Sequence, residues 1–388
     1  MSMEFVCPEC GRRYAVSESR YSCDCGEPLD IGYEPVAVGR ELFEARLGTL
    51  EAPYRSGVWR YRELLPPIDG EHIVSKPEGN TNLYLAGADE RGGVRGVGEY
   101  AGLGWLGLKH EGENPTASFK DRGMTVGVSQ AVALGVGAVA CASTGNTSAS
   151  LASYAVQAGM PCFVFVPGGH VAAGKLAQTL AYGAITLQVE GDFDRAMRVV
   201  QTVCAEMGVY LVNSVNPFRI EGQKTIAFEA LQQLGWEPPD WVVLPAGNLG
   251  NTSAVGRALL QAREIGLVSR VPRVAAVQAA GANPFYRGYA GGWRERHSME
   301  AHTVASAIKI GAPVSYSRAR RVIEATDGVV TEVADEAILE AKAVIDRAGI
   351  GCEPASAASL AGARRLVVEG VIRPGERVLC ILTGHILK

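Results

Sequence analysis

Two clusters of residue types in this sequence can do chemistry that ordinary surface residues cannot. Near the start, Cys7-Pro8-Glu9-Cys10 and Cys23-Asp24-Cys25-Gly26 set out two close thiol pairs. Tetrahedral Zn²⁺ is held by four thiolates carried on two tight turns. A head this short has too little apolar area to fold unaided. Cys7, Cys10, Cys23 and Cys25 therefore point to a structural zinc site. The second pair is spaced C-x-C where C-x-x-C is commoner, and a ribbon packed on the main body without metal is the competing reading. The second cluster is Asn114-Pro115-Thr116-Ala117-Ser118-Phe119-Lys120-Asp121-Arg122-Gly123. Its first three residues read as a turn leading into a helix, with Lys120 near the helix start. The helix dipole disfavours a cation there. An amine so placed is pushed toward its neutral, nucleophilic form or used to form a Schiff base. Most lysines on helices are solvated surface groups, so Lys120 alone decides nothing.

Three further segments end strands or open helices. Ser143-Thr144-Gly145-Asn146-Thr147 follows an apolar run and precedes an Ala/Ser-rich helix, the setting of an anion site or of simple capping. Gly247-Asn248-Leu249-Gly250-Asn251 is a glycine-rich loop whose N–H groups suit a phosphate. It lacks the G-x-G-x-x-G spacing of a dinucleotide fingerprint. Thr383-Gly384-His385 closes the last apolar run, offering a hydroxyl at a strand's carboxyl end, and His385 beside it reads as structural.

The elements that must hold these groups are legible in the apolar pattern. Runs at 138–142, 162–166, 185–189 and 209–212 read as buried strands, with helices at 148–157, 176–182 and 193–207 between them. A second series includes strands at 241–245, 274–278 and 378–382. Strand–helix alternation implies parallel sheets covered on both faces. Two series imply two α/β domains, with a ligand at the carboxyl ends of the strands. Residues 31–88 resist assignment, and glycine-rich 90–104 reads as a turn or hairpin region.

Composition excludes several classes. The 37 basic and 41 acidic residues are evenly mixed, which leaves no basic stripe for nucleic acid or a membrane surface. No apolar run reaches the roughly 20 residues of a bilayer span, and residues 1–6 do not form a signal peptide. A cytoplasmic protein is expected. Glycine makes up 47 of 388 residues without a period, which fits backbone turning sharply or approaching a ligand. Cys141, Cys162, Cys204, Cys352 and Cys380 lie mainly in apolar segments, and with an odd total they read as buried, reduced thiols.

Taken in order, the Lys120, Asn146, Gly247–Asn251 and Thr383 segments, with Asn213-Ser214-Val215-Asn216-Pro217-Phe218-Arg219-Ile220-Glu221-Gly222-Gln223-Lys224, resemble the threonine synthases, a family of fold-type II pyridoxal-phosphate (PLP) enzymes. The resemblance spans roughly residues 75 to 388. It implies two three-layer parallel-sheet domains of the tryptophan synthase β-like kind. Residues 31–95 and 213–388 would form the large PLP domain and 96–212 the small one, behind a zinc-ribbon-like unit at 1–30. It implies that Lys120 holds PLP as a Schiff base and that Asn146 hydrogen-bonds the ring hydroxyl oxygen. Gly247, Asn248, Leu249, Gly250 and Asn251 would hold the cofactor phosphate, and Thr383 would face the pyridine nitrogen. Ser143, Thr144 and Thr147 match a loop that grips the substrate carboxylate. Lys175, Asn213, Ser214 and Arg219 match positions around a substrate phosphate.

The implied reaction converts O-phospho-L-homoserine and water to L-threonine and phosphate, in a homodimer acting on a small phosphorylated amino acid. Three departures stand out: Ala117 where glycine is usual, Asn82 where proline is usual, and His170 with the following Val-Ala-Ala, in a loop that varies in character. A cysteate-synthase-like or threonine-dehydratase-like activity is the alternative. Lys175 and Arg219 argue against the dehydratase, whose substrate carries no phosphate. A non-catalytic regulator that binds a partner through the ribbon is a third reading.

Overall fold

The computed structural model describes residues 3–18, 20–34, 36–86, 94–168, 173–191 and 193–388, without the side chains of 95, 173–175, 193 and 194. Two compact units emerge, one of residues 1–80 and 114–225, the other of 81–113 and 226–388.

In the first unit a four-stranded parallel sheet runs Ile185–Val189, Cys162–Pro167, Val139–Ala142, Tyr210–Leu211. Val139–Ala142 is buried throughout, as expected of a strand covered on both faces. Lys120–Ala133, Asn146–Gln157, Ala173–Ala181 and Phe193–Met207 are among its helices. A further helix, Pro217–Gln233, starts in this unit and crosses Lys120–Ala133 closely. A Cβ on Gly222 would stand 1.9 Å from the carbonyl oxygen of Arg122, so only glycine permits that crossing. The head is a three-stranded antiparallel sheet, Arg13–Ala15, Glu4–Val6, Asp30–Gly32. Its Phe5, Leu29 and Ile31 share a core with Val58, Trp59, Val126 and Phe218.

The second unit holds a six-stranded sheet in the order Val329–Val333, Arg273–Ala279, Trp241–Pro245, Arg377–Leu382, Trp105–His110, Leu83–Ala86. All neighbours are parallel except the last pair. Pro354–Val368 lies against its central strands, and Asp335–Arg347 packs on that helix. The Lys109 ammonium is fully buried here. It meets the Glu229 carboxylate at 2.6 Å and also donates to the Thr81 carbonyl and the Gln233 side chain. A buried cation needs such full pairing.

The expected α/β architecture is borne out, and most strands lie within a residue or two of the apolar runs that announced them. Some expectations need correction. Trp105–His110 is a strand of the second unit, where it pairs with Arg377–Leu382, although the sequence put 96–212 in one smaller unit. Likewise residues 31–80 join the first unit. Among the described residues of the 90–104 region, Val94–Ala101 is a helix and not a hairpin, and Val97 and Ala101, one turn apart, are buried in the core. Residues 87–93 and 169–172, His170 among them, lie outside the described residues. All five scattered cysteines are buried and unbonded, and burial pushes the Cys162, Cys204 and Cys380 thiols up to about 12. Among the described residues no helix is long and apolar enough to cross a membrane.

Candidate active site

Lys120 is the first residue of its helix and half-buried, its amine 3.8 Å from the centre of the Phe119 ring. What fixes that helix start is Asp121, wholly buried. It accepts hydrogen bonds from the Thr116 N–H and hydroxyl and from the Ser150 hydroxyl. The turn before Lys120 and the helix Asn146–Gln157 are thereby tied to one carboxylate. Burial pushes the Asp121 carboxyl up to about 6, against the pull of those donors. Ala117 closes the turn, its N–H bonded to the Asn114 carbonyl at 2.8 Å, with φ of 65°. The left-handed region strains any residue with a Cβ, which accounts for glycine being usual there.

Ser143, Thr144, Gly145, Asn146 and Thr147 are half-buried between fully buried neighbours. Gly145 stands at the helix N-cap with no side-chain cap. The first N–H groups of Asn146–Gln157 therefore have no capping side chain at the N-cap and form the positive end of the helix dipole. Asn213, expected to touch a substrate phosphate, is 4% exposed and engaged elsewhere. Its side chain accepts the Ala142 N–H at 2.8 Å and donates to the Ala142 carbonyl at 2.9 Å. Asn213 thus fixes the residue from which the 143–147 loop departs. Ser214 beside it is half-buried.

Arg219 is 1% exposed. Its guanidinium donates to the Val212 carbonyl at 3.3 Å, while its Nε has no partner among the described residues. Among the described residues no carboxylate pairs with it. Burial alone lowers its pKa to about 10, so it stays charged at neutral pH. A buried cation without a counter-charge is costly, and an anionic ligand would offset that cost. Lys175 falls in the helix Ala173–Ala181, but its side chain lies outside the described residues.

The second unit holds the other expected residues. The loop from Gly247 leads into the helix Gly250–Glu264, whose N-cap, Leu249, is left-handed (φ 65°) and carries no capping side chain. Asn248 fixes the loop by accepting N–H groups from Val314 and Ser315. A Cβ on Gly247 would stand 2.8 Å from the Ile308 Cα, so the backbone there must be glycine. On the helix's first turn Asn251 is 7% exposed, and among the described residues neither its side-chain polar atoms nor the buried Thr252 hydroxyl has a hydrogen-bond partner. Uncapped N–H groups beside unsatisfied amide and hydroxyl donors make a site for a dianion.

Thr383 is buried just past Arg377–Leu382, its hydroxyl 3.1 Å from that of Ser356 and 3.5 Å from the Glu353 carboxylate. Sequence reasoning missed Ser356 and Glu353. The signal was Glu353-Pro354, proline at the first position of a helix. His385 stacks on His110 at 5.9 Å, as a packing residue does.

A model of the pyridoxal-phosphate dependent enzymes matches residues 75–384. The chain is 45% identical to a threonine synthase of Methanocaldococcus jannaschii over 98% of this chain and 92% of that protein. It is 41% identical to the chloroplastic threonine synthase 2 of Arabidopsis thaliana, over 98% of this chain and 75% of that one. Among solved structures, maize serine racemase aligns with a TM-score of 0.68 at 22% identity, over 80% of this chain and 89% of that one. A threonine deaminase from Solanum lycopersicum aligns with a TM-score of 0.68 at 18% identity, over 91% and 92%. The fold, the cofactor class and the extent of the match lead to one assignment: the chain belongs to the pyridoxal-phosphate dependent enzymes and, within them, to the threonine synthases.

Proposed function

We propose that the chain converts O-phospho-L-homoserine and water to L-threonine and phosphate, breaking the C–O bond at Cγ and adding water at Cβ. The observation that carries the choice of a phosphorylated substrate is Arg219, a buried guanidinium with no carboxylate partner among the described residues. It lies in the same unit as the half-buried 143–147 loop.

The residues fit PLP. The 247–251 loop offers uncapped N–H groups with the unsatisfied Asn251 and Thr252 side chains, a donor set suited to the cofactor phosphate. Lys120 would hold the aldehyde carbon, Asn146 the ring hydroxyl oxygen, and the Thr383 hydroxyl the pyridine nitrogen. When bound, the cofactor supplies the electron sink that makes the substrate's Cα proton acidic.

The chain's own residues do the rest. Lys120 takes the proton from Cα and moves protons at the neighbouring carbon, work in which a positioned base contributes about 10²- to 10⁴-fold. Ser143, Thr144 and Thr147 orient the substrate carboxylate with the uncapped N–H groups of their helix. Arg219 and Lys175 neutralise the substrate phosphate in the bound state and as it leaves, and the Ser214 hydroxyl hydrogen-bonds to it. Asn213 acts one step back, holding Ala142 and so the loop. A neutral hydroxyl at Thr383, in place of a carboxylate, would leave the ring nitrogen of a bound cofactor largely unprotonated and so moderate the sink it supplies. The even mixture of charges supports a cytoplasmic enzyme working without nucleic acid or a membrane, and the family resemblance supports a homodimer.

The test is turnover of O-phospho-L-homoserine with released phosphate and threonine both measured. O-phosphoserine with sulfite, and threonine alone, are run beside it. Product from either of those, with none from phosphohomoserine, would replace this reading with the cysteate-synthase-like or the dehydratase one.

A further inference from the structure

The expectation for the four cysteines of the head was drawn from spacing. Their arrangement carries it further. Cys7 and Cys25 bring their sulfurs to 3.5 Å, as do Cys10 and Cys23. All four sulfurs lie within 4.8 Å of one another. With Zn–S bonds of about 2.3 Å, a tetrahedral ion sets its sulfurs roughly 3.8 Å apart, so one ion fits among these four. Cys7 and Cys10 share one tight turn, and Cys23 and Cys25 share another. Gly11 N–H bonds to the Cys7 carbonyl, and Gly26 N–H to the Cys23 carbonyl, each at 2.9 Å. The Cys10 N–H also points at the Cys7 sulfur, at 3.5 Å, a donor suited to a thiolate.

Between the two turns lies Tyr21, and its position gives the head a task. Tyr210–Leu211 is the edge strand of the first unit's sheet, paired on one side only, with Val139–Ala142. The Leu211 N–H donates to the Tyr21 hydroxyl oxygen at 3.0 Å, and the Tyr21 ring packs edge-on against Tyr210 at 6.1 Å. Phe5 of the head packs against Phe218 in the same manner. The chain just beyond this edge is Val212, Asn213, Ser214 and Arg219. The Asn216 side chain reaches back to the Leu211 carbonyl, and Arg219 reaches back to that of Val212.

We propose that Cys7, Cys10, Cys23 and Cys25 bind one Zn²⁺ as a tetrathiolate, and that the metal-held head, through Tyr21 on Leu211, braces the segment presenting Asn213, Ser214 and Arg219. Tyr21 is a positioning residue. Its effect on substrate rests on the role proposed above for Arg219.

The test has separable arms. The full-length protein, purified without chelator, is assayed for zinc by mass spectrometry, and titration with a mercurial reports thiols blocked per ion released. One zinc per chain, freed as four thiols react, is the expected result. Absence of metal, or finding these cysteines as disulfides, overturns the site. Cys25→Ser, which changes an exposed ligand, should lose the zinc. Should that variant fail to fold, the mercurial titration of the unaltered chain decides the same point.

Tyr21→Phe keeps the ring and removes the acceptor. It should retain zinc, show faster hydrogen exchange at the Leu211 amide, and raise KM for the phosphorylated substrate several-fold with kcat within a factor of about two. Unchanged exchange overturns the brace and leaves the metal site standing. Faster exchange with unchanged KM keeps the brace and overturns its link to the substrate phosphate.

Discussion

Asn213 pairs with the backbone of Ala142 through both ends of its side-chain amide, accepting the N–H and donating to the carbonyl. It does with a side chain what the next residue of a strand would do with its backbone. The edge strand Tyr210–Leu211 stops, yet the neighbouring strand stays paired to its end. The 143–147 loop therefore leaves from a fixed point.

Replacing Asn213 with Ala leaves a buried N–H and a buried carbonyl unpaired. Stability should fall by about 1–3 kcal/mol, read from urea denaturation, and kcat/KM should fall with it. Asn213→Asp keeps the acceptor and loses the donor, so its defect should persist.

Arg219→Met separates stability from function. The change removes a buried guanidinium with no carboxylate partner among the described residues. Replacing a buried charge with an apolar group of similar size is often neutral or stabilising. The melting temperature of Arg219→Met without ligand should hold or rise. KM for the phosphorylated substrate should rise at least about 100-fold, since one desolvated partner of a charge pair is lost. A lower melting temperature would mean that the arginine serves packing.

Asp121 makes stability depend on pH in a defined direction. Its carboxyl titrates near 6 in the folded chain, above its ordinary value of 3.8, because burial disfavours the ion. The folded state then holds the proton more tightly than the unfolded one. The stabilising contribution is fully present below about pH 3.8 and is lost as pH rises through 6. Denaturation midpoints between pH 5 and pH 7 should show this fall in the unaltered chain. In Asp121→Asn the slope should flatten, at a lower overall stability because the three donors from Thr116 and Ser150 lose their carboxylate.

Ala117→Gly should stabilise. A left-handed alanine costs about 1–2 kcal/mol, and glycine's extra freedom in the unfolded chain returns about 0.5–1. A net gain of about 0.5–1 kcal/mol should show in thermal unfolding, with kcat unchanged, because the turn's geometry is kept.

Much of this was readable from residue order. The buried strands announced themselves as unbroken apolar runs, and the lysine, amide and glycine loops stood where such runs end. The Ala117 departure was visible too, but only the positive φ explains it. Asn82, a second departure, gives its N–H to the Glu113 carboxylate at 2.7 Å, a bond that proline cannot make. Burial works to raise the Glu113 pKa, but hydrogen bonds from Tyr84 and Asn82 outweigh it and hold the carboxyl below its ordinary value.

What stayed hidden depended on partners distant in sequence. Nothing near Asn213 signals Ala142, and nothing near Tyr21 signals Leu211. The strand Trp105–His110 was assigned to the wrong unit because its neighbour, Arg377–Leu382, comes so late in the chain. Val94–Ala101 was obscured by its glycines, whose low helix propensity is overridden by the packing of Val97 and Ala101.

The six-stranded sheet has Arg377–Leu382 between Trp241–Pro245 and Trp105–His110. Of all the described strands, the last to leave the ribosome is the one on which both halves of that sheet close. Until it emerges, two open sheet edges wait with unpaired backbone, the kind of surface on which chains aggregate. A ribosome stalled before residue 377 would hold a nascent chain in need of chaperone cover. Cutting the chain there would remove the middle of the sheet and leave its margins with nothing to join.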